Sequence, residues 1–201
     1  MPSVVQRAPR CPTVTELVLA SASPQRREIL ARLGVTVTVA TPGCEELEQG
    51  PPEEVALENA RRKAEAVAAR PAHAGATVLG ADTVVALDTT IYGKPAGRAQ
   101  AEATLRALSG RTHAVLTAIC AIRAGHLRVA VARTLVELRA LEEPLLAWYL
   151  DSGEWRERAG GYAIQGRGAA LVRRIDGDYT NVVGLPVSAL LDLLPELLSR
   201  P

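Results

Sequence analysis

The sequence predicts an α/β protein: a mixed, twisted sheet with flanking helices. Three observations carry that prediction. Short β-branched runs alternate with Ala- and Leu-rich segments of helical period, the pattern of strands interleaved with helices. Two long β-branched runs are separated only by a turn, which adds antiparallel pairing to the same sheet. The 201 residues are 48% apolar and 22% charged, enough for one substantial core or two small lobes. No repeat or low-complexity linker divides the chain, so residues 14–201 read as one domain behind a disordered tail, residues 1–13.

The elements follow in order. Leu17–Ala20 is a short buried strand, and Pro24–Leu33 is a helix, opened by a proline and stopped by Gly34. Val35–Val39 alternates with threonines as a half-exposed strand. The loop TPGCEELEQGPP leads into an Ala-rich helix over Glu53–Ala69. Thr77–Ala86 is a strand that turns through Asp88-Thr89-Thr90 towards Gly93, and Arg98–Leu108 is a helix closed by a glycine. His113–Ile122 and Leu127–Leu138 form a hairpin through Ala124-Gly125. Pro144–Leu150 reads as helix, Gly168–Ile175 as strand, and Pro186–Leu198 as the last helix.

Composition excludes several classes of partner. Lys plus Arg number 23 and Asp plus Glu 22, a net charge of +1, so no general field exists for gripping a nucleic acid polymer. Any anion site is local. Cys11, Cys44 and Cys120 are dispersed, with no CxxC pair, which fits a reducing compartment rather than a disulfide framework or structural zinc. The first residues lack an apolar signal core, and no apolar run approaches the roughly 20 residues that span a bilayer. The expectation is a cytoplasmic protein without a membrane partner.

Local anion chemistry is legible in SASPQRRE. Pro24 suits the first turn of a helix and Ser23 suits its cap. Free N–H groups at that mouth, with Ser21, Arg26 and Arg27 beside them, suit a phosphate; the alternative is a capped helix with solvated arginines. In GADTVV, Asp82 lies inside an apolar strand, where a carboxylate is costly unless it is paired, binds a metal or does chemistry. Tying down a neighbouring loop is the structural alternative. Thr83 falls on the opposite side of the pleat.

Gly93-Lys94 fails as a P-loop, because Pro95 replaces Ser/Thr, and GYAIQGRG fails as a dinucleotide fingerprint. The lysines say more. Lys63 and Lys94 are the only two in a chain rich in arginine, which points to a compact ammonium at a phosphate oxygen. Glu45 and Glu46 lie in the loop before the Lys63 helix. With Asp82 they supply hard oxygen donors for a divalent cation that also takes substrate phosphates, unless the loop is merely solvated. His113 reads as a packed residue at a strand start, and His73 and His126 as surface residues.

Taken in order, these segments resemble the Maf family of nucleoside triphosphate pyrophosphatases. The matching stretches are LASASPQRREIL, PEEVALENARRKAEAV, GADTVVALD, GKPAGRAQAEATLRALSGRTHAVLTAI and AGGYAIQGRGAALVRRIDGDYTNVVGLP, nearly the whole chain beyond the tail. Both lysines fall at the family's lysine positions. The resemblance implies an inosine-triphosphatase-like α/β fold with a deep cleft between two lobes, and a homodimer. It also implies cleavage of a nucleoside triphosphate to monophosphate and pyrophosphate, dependent on Mg²⁺ or Mn²⁺. In that scheme Asp82 is the proton acceptor, Glu46 and Asp82 hold the metal, and Lys63 and Lys94 neutralise phosphate charge. Ser21, Ser23 and Arg26 grip the triphosphate chain.

GYAIQG and GDYTNVVGLP look like the branch that favours dTTP and UTP, in which Gln25, Thr83 and Gln165 are the positions tied to base choice. Two departures stand out: Gln25 replaces the first arginine of SPRR, and Glu157-Arg158 replaces Asp-Lys before AGGY. The competing expectations are a non-catalytic nucleotide-binding regulator of cell division and a 7-methyl-GTP pyrophosphatase.

Overall fold

The computed structural model describes residues 16–198, so the expected tail at residues 1–13 lies outside the described residues. Strand β1 (Leu17–Ala20) runs parallel to β2 (Thr38–Val39) and to β3 (Thr77–Leu87). β3 pairs antiparallel with the short β4 (Thr90–Tyr92) and with β5 (Thr112–Arg123). β5 pairs antiparallel with β6 (His126–Leu138), and β6 with β7 (Val172–Asp176). The result is a seven-stranded mixed sheet in the order β2-β1-β3-β5-β6-β7, with β4 beside β3. Ala124 and Gly125, at φ 48° and 78°, join β5 to β6 as expected, because two positive φ values match the twist of the flanking strands.

β3 is apolar along almost its whole length because helices cover both of its faces. On one face, Val78, Val84 and Ala86 meet Val55, Ala60, Ala64 and Val67 of α2 (Pro52–Ala68). On the other face the core divides. Leu79 and Ala81 pack with Leu30 of α1 (Pro24–Arg32) and Leu190 of α6 (Val187–Leu193). Val85 and Leu87 pack with Leu105 of α3 (Arg98–Leu108) and with Leu146 and Tyr149 of α4 (Glu143–Ser152). Gly80 decides how close α2 lies to the sheet. A Cβ there would stand 2.3 Å from the Ala60 carbonyl oxygen and 2.7 Å from the Ala64 nitrogen.

Five elements differ from the expectation, the first being β4, a strand at Thr90–Tyr92 where only a turn towards Gly93 was expected. Only Thr38 and Val39 of the Val35–Val39 segment enter the sheet, while Val35 and Val37 turn towards the α1 and α6 cluster. The strand expected from Gly168 begins at Val172, because Gly166–Ala170 winds into a 3₁₀ turn in which Gly168 lies against the Ala163 carbonyl. A short helix α5 (Tyr179–Val183) was not expected; Asp178 caps it by accepting from the Thr180 N–H at 2.6 Å. The final helix breaks after Leu193, and Pro195, which has no N–H to continue it, opens a separate 3₁₀ turn over Pro195–Leu198. Among the described residues, no helix is long and apolar enough to cross a membrane.

Candidate active site

A cleft of 1210 Å³ opens where the β1–α1 turn, the loop before α2, the middle of β3 and the segment after β4 converge. Ser21, Ser23, Gln25, Arg26, Glu46, Lys63, Asp82, Thr83 and Lys94 all line it. Residues spread over more than 70 positions of sequence are therefore brought to one cleft. Gln165 is not among the lining residues; it is half-buried just before the Gly166–Ala170 turn.

The chemical centre is a charged trio at the floor. Lys63 is 7% exposed on α2, and its ammonium donates to Asp82 Oδ1 at 2.6 Å and to Glu46 Oε2 at 2.7 Å. Asp82, also 7% exposed, reaches this point because the β3 pleat turns it towards α2. A buried carboxylate and an exposed one so placed repel one another, and the ammonium between them offsets that cost. Asn59, one turn before Lys63, completes the group by donating to Asp82 Oδ2 at 3.3 Å. Of the two loop glutamates it is Glu46 that meets Lys63, while the main-chain carbonyl of Glu45 accepts from Arg62 at 3.4 Å.

Arg26 is built into the wall rather than reaching across the cleft. Its guanidinium donates to the Gly184 carbonyl at 2.8 Å and to Ser21 Oγ, the Ala81 carbonyl and Thr83 Oγ1 at 2.9 Å each. Burial lowers its pKa, and the nearby carboxylates of Asp82 and Glu46 oppose that shift. From Thr83 the chain of donors continues to Thr117 Oγ1 at 3.0 Å and on to the Asn181 carbonyl at 3.2 Å. This polar belt separates the two apolar clusters on that face. The pleat does place Thr83 opposite Asp82, with its hydroxyl committed to the belt.

The mouth of α1 also differs in detail from the expectation. Ser23 stands at the N-cap but makes no side-chain cap bond; its hydroxyl donates to Gln25 Oε1 at 3.1 Å. Ser21 instead accepts from the Ser23 N–H at 3.2 Å. On the far side, Lys94 pairs with Glu157 at 3.2 Å, both side chains being mostly exposed. Glu157 holds a φ of 57°, uncommon for a residue with a side chain. His113 is packed, as expected: it is 1% exposed, sits 2.8 Å from the Tyr162 hydroxyl, and burial pushes its pKa down to about 4.

Sequence reasoning did not single out Asn59. Its signal was present, an amide four residues before Lys63 on the same helical face.

The family model for Maf-like protein matches residues 16–197. The chain belongs to this family. Relatives named dTTP/UTP pyrophosphatase include those of Gloeobacter violaceus, 48% identical over 90% of this chain and 95% of that protein, and Deinococcus radiodurans, 46% identical over 90% and 93%. A third, from Symbiobacterium thermophilum, is 44% identical over 90% and 93%. Among solved structures, the Staphylococcus aureus Ham1 protein is 22% identical over 62% of this chain and 72% of that one, with a TM-score of 0.45, a likeness too slight to carry an argument. In this Maf-like chain Asp82, Lys63 and Glu46 form one contiguous group.

Proposed function

We propose that this Maf-like chain hydrolyses dTTP and UTP to the nucleoside monophosphate and pyrophosphate. The observation that supports it most is the Lys63–Asp82–Glu46 group, with its lysine and aspartate buried, on the floor of a cleft large enough for a nucleotide. The names of relatives 44–48% identical over most of the chain supply the substrate.

The donors suit a hard divalent cation. Glu46 and Asp82 offer carboxylate oxygens at one point, and among the described residues no cluster of three His, Cys, Asp or Glu side chains closes a cage. Two carboxylates completed by substrate phosphates is the habit of Mg²⁺ and also suits Mn²⁺. When bound, such an ion polarises a phosphoryl oxygen and eases deprotonation of water.

The residues then divide the work. Water attacks the α-phosphorus and passes its proton to a free lone pair of Asp82. The new bond is O–Pα, the bond that breaks joins Pα to the α,β-bridging oxygen, and the electron pair leaves with pyrophosphate. Lys63 holds Asp82 in place and, with Lys94, offsets charge building on the phosphates. Lys94 reaches them by leaving its exposed partner Glu157, an exchange that costs little at such a surface pair. Ser21, Ser23 and the α1 mouth receive phosphate oxygens, while Arg26 holds that mouth in position.

Base choice falls to Gln25, with Thr83 acting through the belt and Gln165 from outside the cleft wall. A homodimer in the cytoplasm completes the proposal, resting on the family resemblance and, for the reducing setting, on Cys44 and Cys120, which are free.

The test is pyrophosphate release with Mg²⁺ or Mn²⁺ across dTTP, UTP, CTP and 7-methyl-GTP, run beside Asp82→Asn. The expected result is the highest kcat/KM for dTTP and UTP, with a turnover loss of about 10²–10⁴-fold in the variant. A nucleoside diphosphate product, or near-full turnover without the carboxylate, would remove the mechanism.

A further inference from the structure

The loop that carries Glu46 has little of its own to hold it. Among the described residues its main chain makes no hydrogen bond to other main chain between residues 41 and 50. It contains no helix or strand, and Leu47 is 37% exposed, so apolar burial does not anchor it either. Glu46 nevertheless has to meet Lys63 and Asp82 within hydrogen-bonding distance.

Arg70 holds the start of the loop through the Thr41 and Pro42 carbonyls, and Arg62 reaches the Glu45 carbonyl at 3.4 Å. Asn59 supplies the buried anchor beside Glu46. It is 2% exposed, and every polar group of its side chain is used. Oδ1 accepts from the Leu47 N–H at 2.7 Å, and Nδ2 donates to the Leu47 carbonyl at 3.0 Å and to Asp82 Oδ2 at 3.3 Å. The amide's orientation follows from this network, because only its oxygen can meet the Leu47 N–H. One side chain thus grips both polar groups of the residue beside Glu46 and also touches Asp82.

We propose that Asn59 is a positioning residue, clamping the Glu46 loop to α2 and aligning it with Asp82. The inference rests on the pyrophosphatase reading for its effect on turnover, but the clamp itself stands apart from that reading. A side chain that orients such carboxylates typically contributes roughly 10–100-fold to activity. Because Leu47 is exposed, water can take over its N–H and carbonyl when the amide is lost, so the fold survives substitution.

The experiment measures hydrogen exchange over residues 44–50 and steady-state pyrophosphate release for the wild type, Asn59→Leu, Asn59→Ser and Asn59→Asp. In Asn59→Leu the Leu47 amide exchanges at least about tenfold faster while β3 exchanges as before, and kcat falls roughly 10–100-fold with little change in KM. Asn59→Ser behaves likewise and guards against a failure of the leucine variant to fold. Asn59→Asp separates the two contacts: it keeps the acceptor for the Leu47 N–H, so protection is largely retained, yet kcat falls because a donor to Asp82 becomes a like charge. Unchanged Leu47 exchange in Asn59→Leu and Asn59→Ser overturns the clamp. Faster exchange with unaltered kcat in an active enzyme overturns the positioning role. A wild type that releases no pyrophosphate defeats the functional reading instead, and exchange still decides the clamp.

Discussion

Replacing Arg26 with methionine separates a wall-building arginine from a substrate-gripping one. Methionine keeps the apolar stem and removes the guanidinium, which makes four hydrogen bonds of 2.8–2.9 Å. Two of the acceptors are the main-chain carbonyls of Ala81 and Gly184, and each left without a partner costs about 1–3 kcal/mol. The hydroxyls of Ser21 and Thr83 can rotate to other partners, so their loss counts for less. Against this stands relief from burying a cation, whose cost is visible in the lowered pKa of Arg26. The balance is a destabilisation of about 2–4 kcal/mol. At roughly 2–4 °C per kcal/mol for a chain of this size, the melting temperature falls by roughly 10 °C. Thermal melting and urea unfolding of both proteins measure this, with KM for UTP taken well below the transition. A melting temperature within about 2 °C of wild type, with KM raised about tenfold or more, would show that Arg26 is a substrate arm and that its bonds in the wall are incidental.

Other outcomes follow from the same geometry. Gly80→Ala drives a Cβ into the Ala60 carbonyl, so α2 must retreat; about 1–3 kcal/mol of stability is lost, and kcat falls because Lys63 moves with the helix. His113, held neutral by burial with its pKa near 4, binds fewer protons folded than unfolded between about pH 4 and pH 6.5. Its contribution is present above the unfolded value and is lost as pH falls, by up to about 3 kcal/mol, so His113→Gln flattens the dependence seen by urea unfolding at pH 7 and pH 5. Lys94→Arg remains impaired, and Lys94→Ala more so, while both melt within about 2 °C of wild type, because the pair with Glu157 is exposed. Steady-state kinetics beside melting curves check this.

Much of the architecture was legible because its signals are local. The Ala124-Gly125 hairpin, the proline-led α1 and the apolar period of α2 each depend on residues within one turn or one pleat. Asp82 was legible for the opposite reason: a carboxylate within an apolar strand is an anomaly that composition alone exposes. The elements that went astray are short and governed by context. Gly168 is followed by two alanines and a leucine, which have little strand preference, and its close approach to Ala163 fits a 3₁₀ turn. Helix α5 is only five residues long and depends on its Asp178 cap.

By itself the sequence determined which groups are available: two lysines, an aspartate in an apolar run, a glutamate-bearing loop and a serine-rich helix mouth. Only the tertiary structure decided how they are spent. It turned Arg26 into the wall, tied Thr83 into a belt ending at Asn181, left Gln165 off the cleft surface, and set Lys63 between Glu46 and Asp82 under the hold of Asn59. The physical reason is that a hydrogen bond depends on where its partner stands in space. Asn59 lies 12 residues from Leu47 and 23 from Asp82, and no local pattern reports which of them a side chain will meet when a helix packs onto a strand.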